Sequence, residues 1–199
     1  MKGFNFMNID DAILNRFSCR EFSSKQLTDS QITEILNVAR YAPSPKNRQP
    51  WRFFIVRNAE RKTFVKIFEK NGDIFCCADK LNEFNSENQT YKILNEADTI
   101  ILVFNLYYSR TILGKDDPLF DVTNIQAIGA AIQNMLLKAT SMGIGSLWVC
   151  DVFSHNQQLC SQYCPDGQLI AAIALGYPKK NGLKSFRKPL EDLIITKQE

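Results

Sequence analysis

Two runs in this sequence, Thr99–Phe104 and Leu169–Leu175, are apolar or β-branched at every position. They restrict the available folds more than any other feature. A strand with one face in water alternates apolar and polar side chains, whereas a run without alternation is covered on both faces. Both runs fall far short of the roughly 18 residues that span a bilayer; Thr99–Phe104 is expected as a buried strand and Leu169–Leu175 as a strand. Between them lies Asp121–Met142, with Ile125, Ile128, Ile132, Met135, Leu136 and Ala139 at helical spacing and Gly143 where a left-handed cap falls. Strands separated by long helices predict a sheet covered by helices.

Periodicity and end signals supply the remaining elements. Thr28–Tyr41 is the clearest helix: Thr28 and Gln31 form a capping-box pattern, Ile32, Ile35, Leu36 and Ala39 follow at helical spacing, and Pro43 stops it. A short helix is expected over Ile9–Asn15 with Ala12 and Ile13 facing inward. Another is expected over Ala59–Lys70 with Val65, Ile67 and Phe68 on its apolar side. Trp51–Val56 and Ser146–Cys150 read as strands, a second capping box opens a helix at Ser154 with Gln157, and the tail Leu193–Thr196 reads as a final strand. Asn71–Asn95 is polar, and Asn82, Asn85, Asn88 and Asn95 interrupt any period. That segment is expected as a variable excursion over a binding site. With no internal repeat or flexible linker, residues 1–199 are read as one α+β domain.

Composition narrows the partners. The net charge of +3, from 24 basic and 21 acidic residues, is too small to argue for nucleic acid. No apolar stretch of the secretory kind occupies the first 20 residues, so the six cysteines are expected as reduced thiols in the cytoplasm, with no membrane association. Cys160 and Cys164 share a helix face, but His155 is the single histidine and no metal set is expected. His155 itself is expected in the exposed first turn of a helix.

Three separated segments carry chemistry. In Arg16-Phe17-Ser18-Cys19-Arg20, an extended backbone projects positions 16, 18 and 20 to one side. Two guanidinium groups flanking a hydroxyl suit a phosphate or a polarised carbonyl, although a solvated basic turn has the same composition. Pro43-Ser44-Pro45-Lys46-Asn47-Arg48-Gln49-Pro50-Trp51 is stiffened by three prolines. It presents donors and acceptors that suit the edge of a heterocycle, or it is simply a helix-stop loop anchored by Trp51. Arg187-Lys188-Pro189-Leu190-Glu191-Asp192 offers either a phosphate ligand or a surface turn.

Taken in order, Arg-x-Ser-x-Arg, a helix, Pro-Ser-x-x-Asn-x-Gln-Pro-Trp, the Gly-x-Gly-Ser-x-Trp turn at Gly143–Trp148 and Arg-Lys-Pro-Leu-Glu resemble the nitroreductase family of flavoproteins. The resemblance runs from about Asp10 to Ile194 and is weakest over Asn71–Asn95. It implies an FMN-dependent fold with a central mixed or antiparallel sheet covered by helices and a C-terminal strand exchanged in a homodimer. The apolar tail Leu193–Ile195 suits that exchange. The implied cofactor-binding residues are Arg16, Phe17 and Ser18, with Arg16 and Ser18 on the FMN phosphate, joined by Arg187. Arg20 matches a basic residue at the flavin's N1–O2 edge, where a cation stabilises the reduced ring. Ser44, Lys46, Asn47 and Gln49 match a loop that reaches the flavin across the dimer interface. Val149 and Cys150 match the turn whose amides meet O4 and N5. Here the family often carries Glu-Gly, and Cys150-Asp151 stand instead, which leaves backbone donation intact and substrate preference open.

The implied activity is hydride transfer from NADH or NADPH through FMN, ping-pong, to a small-molecule acceptor such as a nitroaromatic or quinone. No side chain is assigned as catalytic, because the cofactor carries the chemistry. Reductive dehalogenation, dehydrogenation of a ring and flavin fragmentation use similar scaffolds. A different class of answer is a non-catalytic phosphate- or nucleic-acid-binding module built on the same basic residues.

Overall fold

The computed structural model describes residues 7–69, 89–107, 118–182 and 185–195. Strands β1 (Trp51–Val56), β2 (Thr99–Asn105), β3 (Gly145–Val149) and β4 (Gln168–Gly176) pair antiparallel in the order β1-β2-β4-β3. The two runs without alternation are therefore the two central strands. Every residue of β2 is buried, and so is every residue of β4 after Gln168.

Helices cover both faces. On one, Ile101, Val103, Ile173 and Leu175 pack against α2 (Asp29–Ala39) and α5 (Pro118–Ser141), through Ile32, Ile35, Ile128, Ile132 and Met135. On the other, Ile100, Leu102, Ala172 and Ala174 meet Phe64 and Val65 of α3 (Asn58–Lys66), Ile93 and Leu94 of α4 (Gln89–Glu96), and Leu159 of α6 (Asn156–Tyr163). Each fully buried Leu, Ile or Phe contributes about 1.5–3 kcal/mol relative to exposure. The helix-covered, antiparallel sheet matches the expectation. The capping box is also present: Thr28 Oγ1 accepts from the Gln31 amide at 3.2 Å, and Gln31 Oε1 accepts from the Thr28 amide at 3.0 Å.

Local expectations fail where tertiary packing decides. In α1 (Ile9–Asn15) Ala12 is buried, but Ile13 is exposed along with Ile9 and Leu14. Ile125 is also exposed, on the flank of α5 beside Val122. The helix expected to reach Lys70 stops at Lys66, and Phe68 is buried from the turn that follows. The end of the supposed irregular excursion is helical: α4 buries Thr90, Ile93 and Leu94, and Ala97 continues the same face. No capping box opens α6. Ser154 lies in a 3-10 turn over Asp151–His155, where its hydroxyl donates to the Asp151 carbonyl at 2.7 Å. That turn carries His155 inward instead of leaving it exposed; its ring meets Phe68 at 4.7 Å between centroids and its Nδ1 lies 2.8 Å from Ser154 Oγ. Leu190–Leu193 form a 3-10 turn, and Leu193–Ile195 stay exposed with no strand partner among the described residues. Residues 71–88 of the excursion, and the tail from Thr196, lie outside the described residues. No helix among the described residues is long and apolar enough to cross a membrane.

Candidate functional site

The site starts at the free edge of β3. The extended segment that follows α1 lies along it: Ser18 and Ser146 form a parallel bridge, and the Cys19 amide donates to the Ser146 carbonyl at 2.9 Å. The same segment is then stitched past the end of β4, with the Ser23 amide on the Tyr177 carbonyl at 2.8 Å and the Lys179 amide on the Glu21 carbonyl at 3.1 Å. Extended backbone alternates its side chains. Cys19 enters the core beside Leu147 and Val149, while Ser18 and Arg20 are exposed and Arg16 is half-buried. Burial pushes the Cys19 thiol above its ordinary range, which marks it as a packing residue.

Two glycines permit this close approach. Gly143 has φ +69°, a left-handed conformation that turns the chain from α5 into β3 at little cost without a side chain. A Cβ on Gly145 would lie 2.8 Å from Cys19 Sγ and 2.9 Å from Cys19 Cβ. The Gly-x-Gly-Ser pattern is thus what lets the Arg16–Arg20 segment seat against the strand.

A hollow opens at each end of the seam. The larger, about 410 Å³, lies at the Gly143–Ser146 end and reaches Asn15 and Phe17. The smaller, about 290 Å³, lies at the Leu147–Asp151 end and is bounded by Arg20, Gln89 and Thr90. Here the structure brings together three residues expected at a ring-binding site, Arg20, Val149 and Cys150. Thr90 Oγ1 donates to Asp151 Oδ2 at 2.6 Å, fixing α4 against the turn after β3. A cation, a carboxylate, an amide and a hydroxyl around a floor of Leu147 and Ile93 can engage the polar edge of a flat, largely apolar ring.

Gln89 and Thr90 were missed by sequence reasoning, because Asn88 and Asn95 obscured α4. The spacing Thr90, Ile93, Leu94, Ala97 was the signal available. The other expected residues stand apart from this hollow. Ser44 lines a separate one with Thr123 and Gln126 of α5, while Lys46, Asn47 and Gln49 project to solvent. All three of those exposed residues have φ near +50°. Left-handed non-glycine residues cost about 1 kcal/mol or more each and persist only where neighbours hold them. Ser44 Oγ accepts from the Gln49 amide at 3.0 Å, and the Arg48 guanidinium sits 4.1 Å from the centre of the Phe120 ring. Arg187 is exposed, its guanidinium donating to the Phe186 carbonyl at 3.2 Å. Within the described residues there is no cluster of His, Cys, Asp or Glu that could hold a metal ion.

Known proteins resemble this chain in sequence and in fold. An Archaeoglobus fulgidus protein, described as a candidate NADH dehydrogenase or NAD(P)H nitroreductase, is 28% identical over 172 residues, covering 84% of this chain and 83% of its own. The iodotyrosine deiodinase of Hydra vulgaris is 28% identical over 200 residues, covering 90% of this chain and 69% of its own. A Desulfovibrio desulfuricans protein, described as a candidate nitroreductase and solved in complex with FMN, superposes with a TM-score of 0.74 at 27% identity over 96% of this chain and 98% of that one. The model of the Nitroreductase family matches residues 13–177, which take in the Arg16–Arg20 seam, the Ser44–Gln49 loop and β3, with Arg187 beyond them. With the sheet, the seam and the turn after β3 all inside that match, the chain belongs to the Nitroreductase family.

Proposed function

We propose that this protein is an FMN-dependent NAD(P)H oxidoreductase acting as a homodimer, with a flat, electron-poor molecule such as a nitroaromatic or quinone as acceptor. The observation that carries the reading is the parallel seam of Ser18 on Ser146. It sets Arg16 and Arg20 roughly 13 Å apart along one strand edge, at about 3.3 Å per residue. One end suits a phosphate and the other, with its hollow of about 290 Å³, suits a ring. The FMN in the Desulfovibrio structure supports the choice of cofactor. The likeness to the Archaeoglobus candidate NAD(P)H nitroreductase supports a nicotinamide donor.

FMN, when bound, supplies the ring that accepts and passes on hydride. Arg16, Ser18 and Arg187 would hold the phosphate, and Phe17, which lines the larger hollow, would contribute to cofactor binding. Arg20 puts positive charge beside the ring edge where negative charge develops. Backbone amides at Val149 and Cys150 orient the opposite edge. Donor and acceptor use the same pocket in turn, so the kinetics are ping-pong.

Ser44, Lys46, Asn47 and Gln49 stand apart from Arg20 within one chain and serve the site of a second copy. The exposed Ile9, Ile13, Leu14, Val122 and Ile125 supply apolar surface for that pairing, and the exposed Leu193–Ile195 tail supplies a strand to exchange. Reductive dehalogenation is a second reading, favoured by the likeness to the Hydra deiodinase.

Purified protein is expected to be yellow, with one FMN per chain and NAD(P)H-dependent bleaching. Arg16→Ala combined with Arg187→Ala should strip the flavin and leave far-UV circular dichroism intact. Colourless protein that FMN cannot reconstitute would overturn the reading. Halide release from halogenated phenols, tested beside nitroaromatic and quinone reduction, separates the two activities.

A further inference from the structure

We propose that the hydroxyl of Ser146 binds the ribityl chain of FMN, within the hollow at the start of β3. This rests on the FMN reading above and assigns a residue to the uncharged middle of the cofactor, between phosphate and ring. Ser146 is 2% exposed, and its Oγ has no hydrogen-bond partner among the described residues. Buried hydroxyls are nearly always paired, so an orphan of this kind needs a partner that the described residues do not provide.

Ser146 borders the hollow of about 410 Å³, together with Asn15, Thr140 and Asn181. All of these are neutral groups that donate and accept, and no charged side chain among the described residues lines the space. These polar groups, set among the apolar Phe17, Ile144 and Pro178, suit a polyol and argue against a phosphate inside the hollow itself. Arg16 stands between Asn15 and Phe17, both of which border it, so the cation lies at its margin.

Register adds an independent argument. As backbone partners in a parallel bridge, Ser18 and Ser146 send their side chains to the same face of the seam. A chain running from a phosphate at Arg16 and Ser18 toward a ring at Arg20 and Cys150 therefore passes Ser146.

The test uses apoprotein titrated with FMN and with riboflavin, followed by quenching of flavin fluorescence, for wild type and Ser146→Ala. The variant should bind both flavins about 5–10-fold more weakly, the loss typical of one hydrogen bond. Its apoprotein should melt at the wild-type Tm or slightly above, since only an unpaired buried hydroxyl has been removed. Affinities within twofold of wild type would overturn the assignment. So would a loss confined to FMN, which would put the contact on the phosphate, or a fall in apoprotein Tm, which would make the hydroxyl structural. A wild-type protein that takes up neither flavin would bring down the FMN reading itself, a distinguishable failure.

Discussion

Gly145→Ala tests the seam on which the site is built. The added methyl would meet Cys19 Sγ at 2.8 Å, Cys19 Cβ at 2.9 Å and the Gly176 carbonyl oxygen at 3.3 Å. Comfortable carbon contacts lie near 3.5–4.0 Å, so the Arg16–Arg20 segment must retreat by roughly 1 Å. Overpacking of this kind costs about 1–3 kcal/mol. Weakening the 2.9 Å bond between the Cys19 amide and the Ser146 carbonyl adds about 1 kcal/mol. The sum, about 2–4 kcal/mol, corresponds to a fall in Tm of about 5–15 °C for a domain of this size. Urea denaturation of the apoprotein measures it directly. Cys19→Gly removes both clashing atoms, so the double variant should be more stable than the two single losses predict, with a coupling of about 1 kcal/mol or more. FMN titration should show the same order, because the displaced segment carries Arg16 and Ser18. A Gly145→Ala protein within 1 kcal/mol of wild type by urea denaturation, with no coupling to Cys19, would refute the argument that this glycine exists for close approach.

Arg48→Ala should release the strained Ser44–Gln49 loop by removing the guanidinium from the Phe120 ring, weakening FMN binding about 2–10-fold with Arg48→Lys intermediate; limited proteolysis at the loop and FMN titration check both effects. Lys179 Nζ at 2.9 Å and the Phe22 amide at 3.2 Å hold the Glu96 carboxyl below its ordinary value of 4.5. The stability this provides is complete above pH 4.5 and is lost as pH falls through the lower folded value. In chemical denaturation the gap between wild type and Glu96→Gln should therefore close in acid. Burial holds His155 below its ordinary 6.5, so the unfolded chain takes up the proton first. Stability should decline as pH drops below 6.5, and His155→Gln should flatten that slope in a Tm-versus-pH series.

What was legible in the sequence was what the chain decides locally. The central strands declared themselves because covering both faces removes alternation, and α2 did so because Thr28 and Gln31 cap it without help from elsewhere. The second capping-box pattern misled because Ser154 has a nearer acceptor in the Asp151 carbonyl, and a 3-10 turn takes the hydroxyl first. Asparagines hid α4, whose stability comes from burying Ile93 and Leu94 under the sheet more than from its own propensity. Ile13, Ile125 and the tail read as buried or paired because they are apolar. Among the described residues nothing covers them, which is the condition a second copy would relieve.

The site divides along the same line. Arg16, Ser18 and Arg20 could be read as one group because alternation in an extended segment is a local rule, and the glycines of Gly-x-Gly-Ser could be noticed as a turn. Their purpose could not be read, since the need for glycine at 145 comes from the approach of Cys19 and Gly176, and the burial of Ser146 is seen only once the chain is folded. Thr90 is tied to Asp151 across 61 residues, a separation at which spacing carries no information. Asp151 therefore gains a meaning it lacked as a departure from the family's usual Glu-Gly. Its carboxylate anchors the pocket wall and lines the same hollow as Arg20, so with FMN placed as proposed the anion would offset part of the positive charge at the ring edge. If that balance sets how readily the site accepts hydride, removing the anion should act in the direction opposite to removing the cation. Asp151→Asn, which keeps a hydrogen-bond acceptor for Thr90, should raise the reduction potential of bound FMN, and Arg20→Ala should lower it. Equal shifts of the same sign in a spectroelectrochemical titration would show that both act through pocket shape, not through charge.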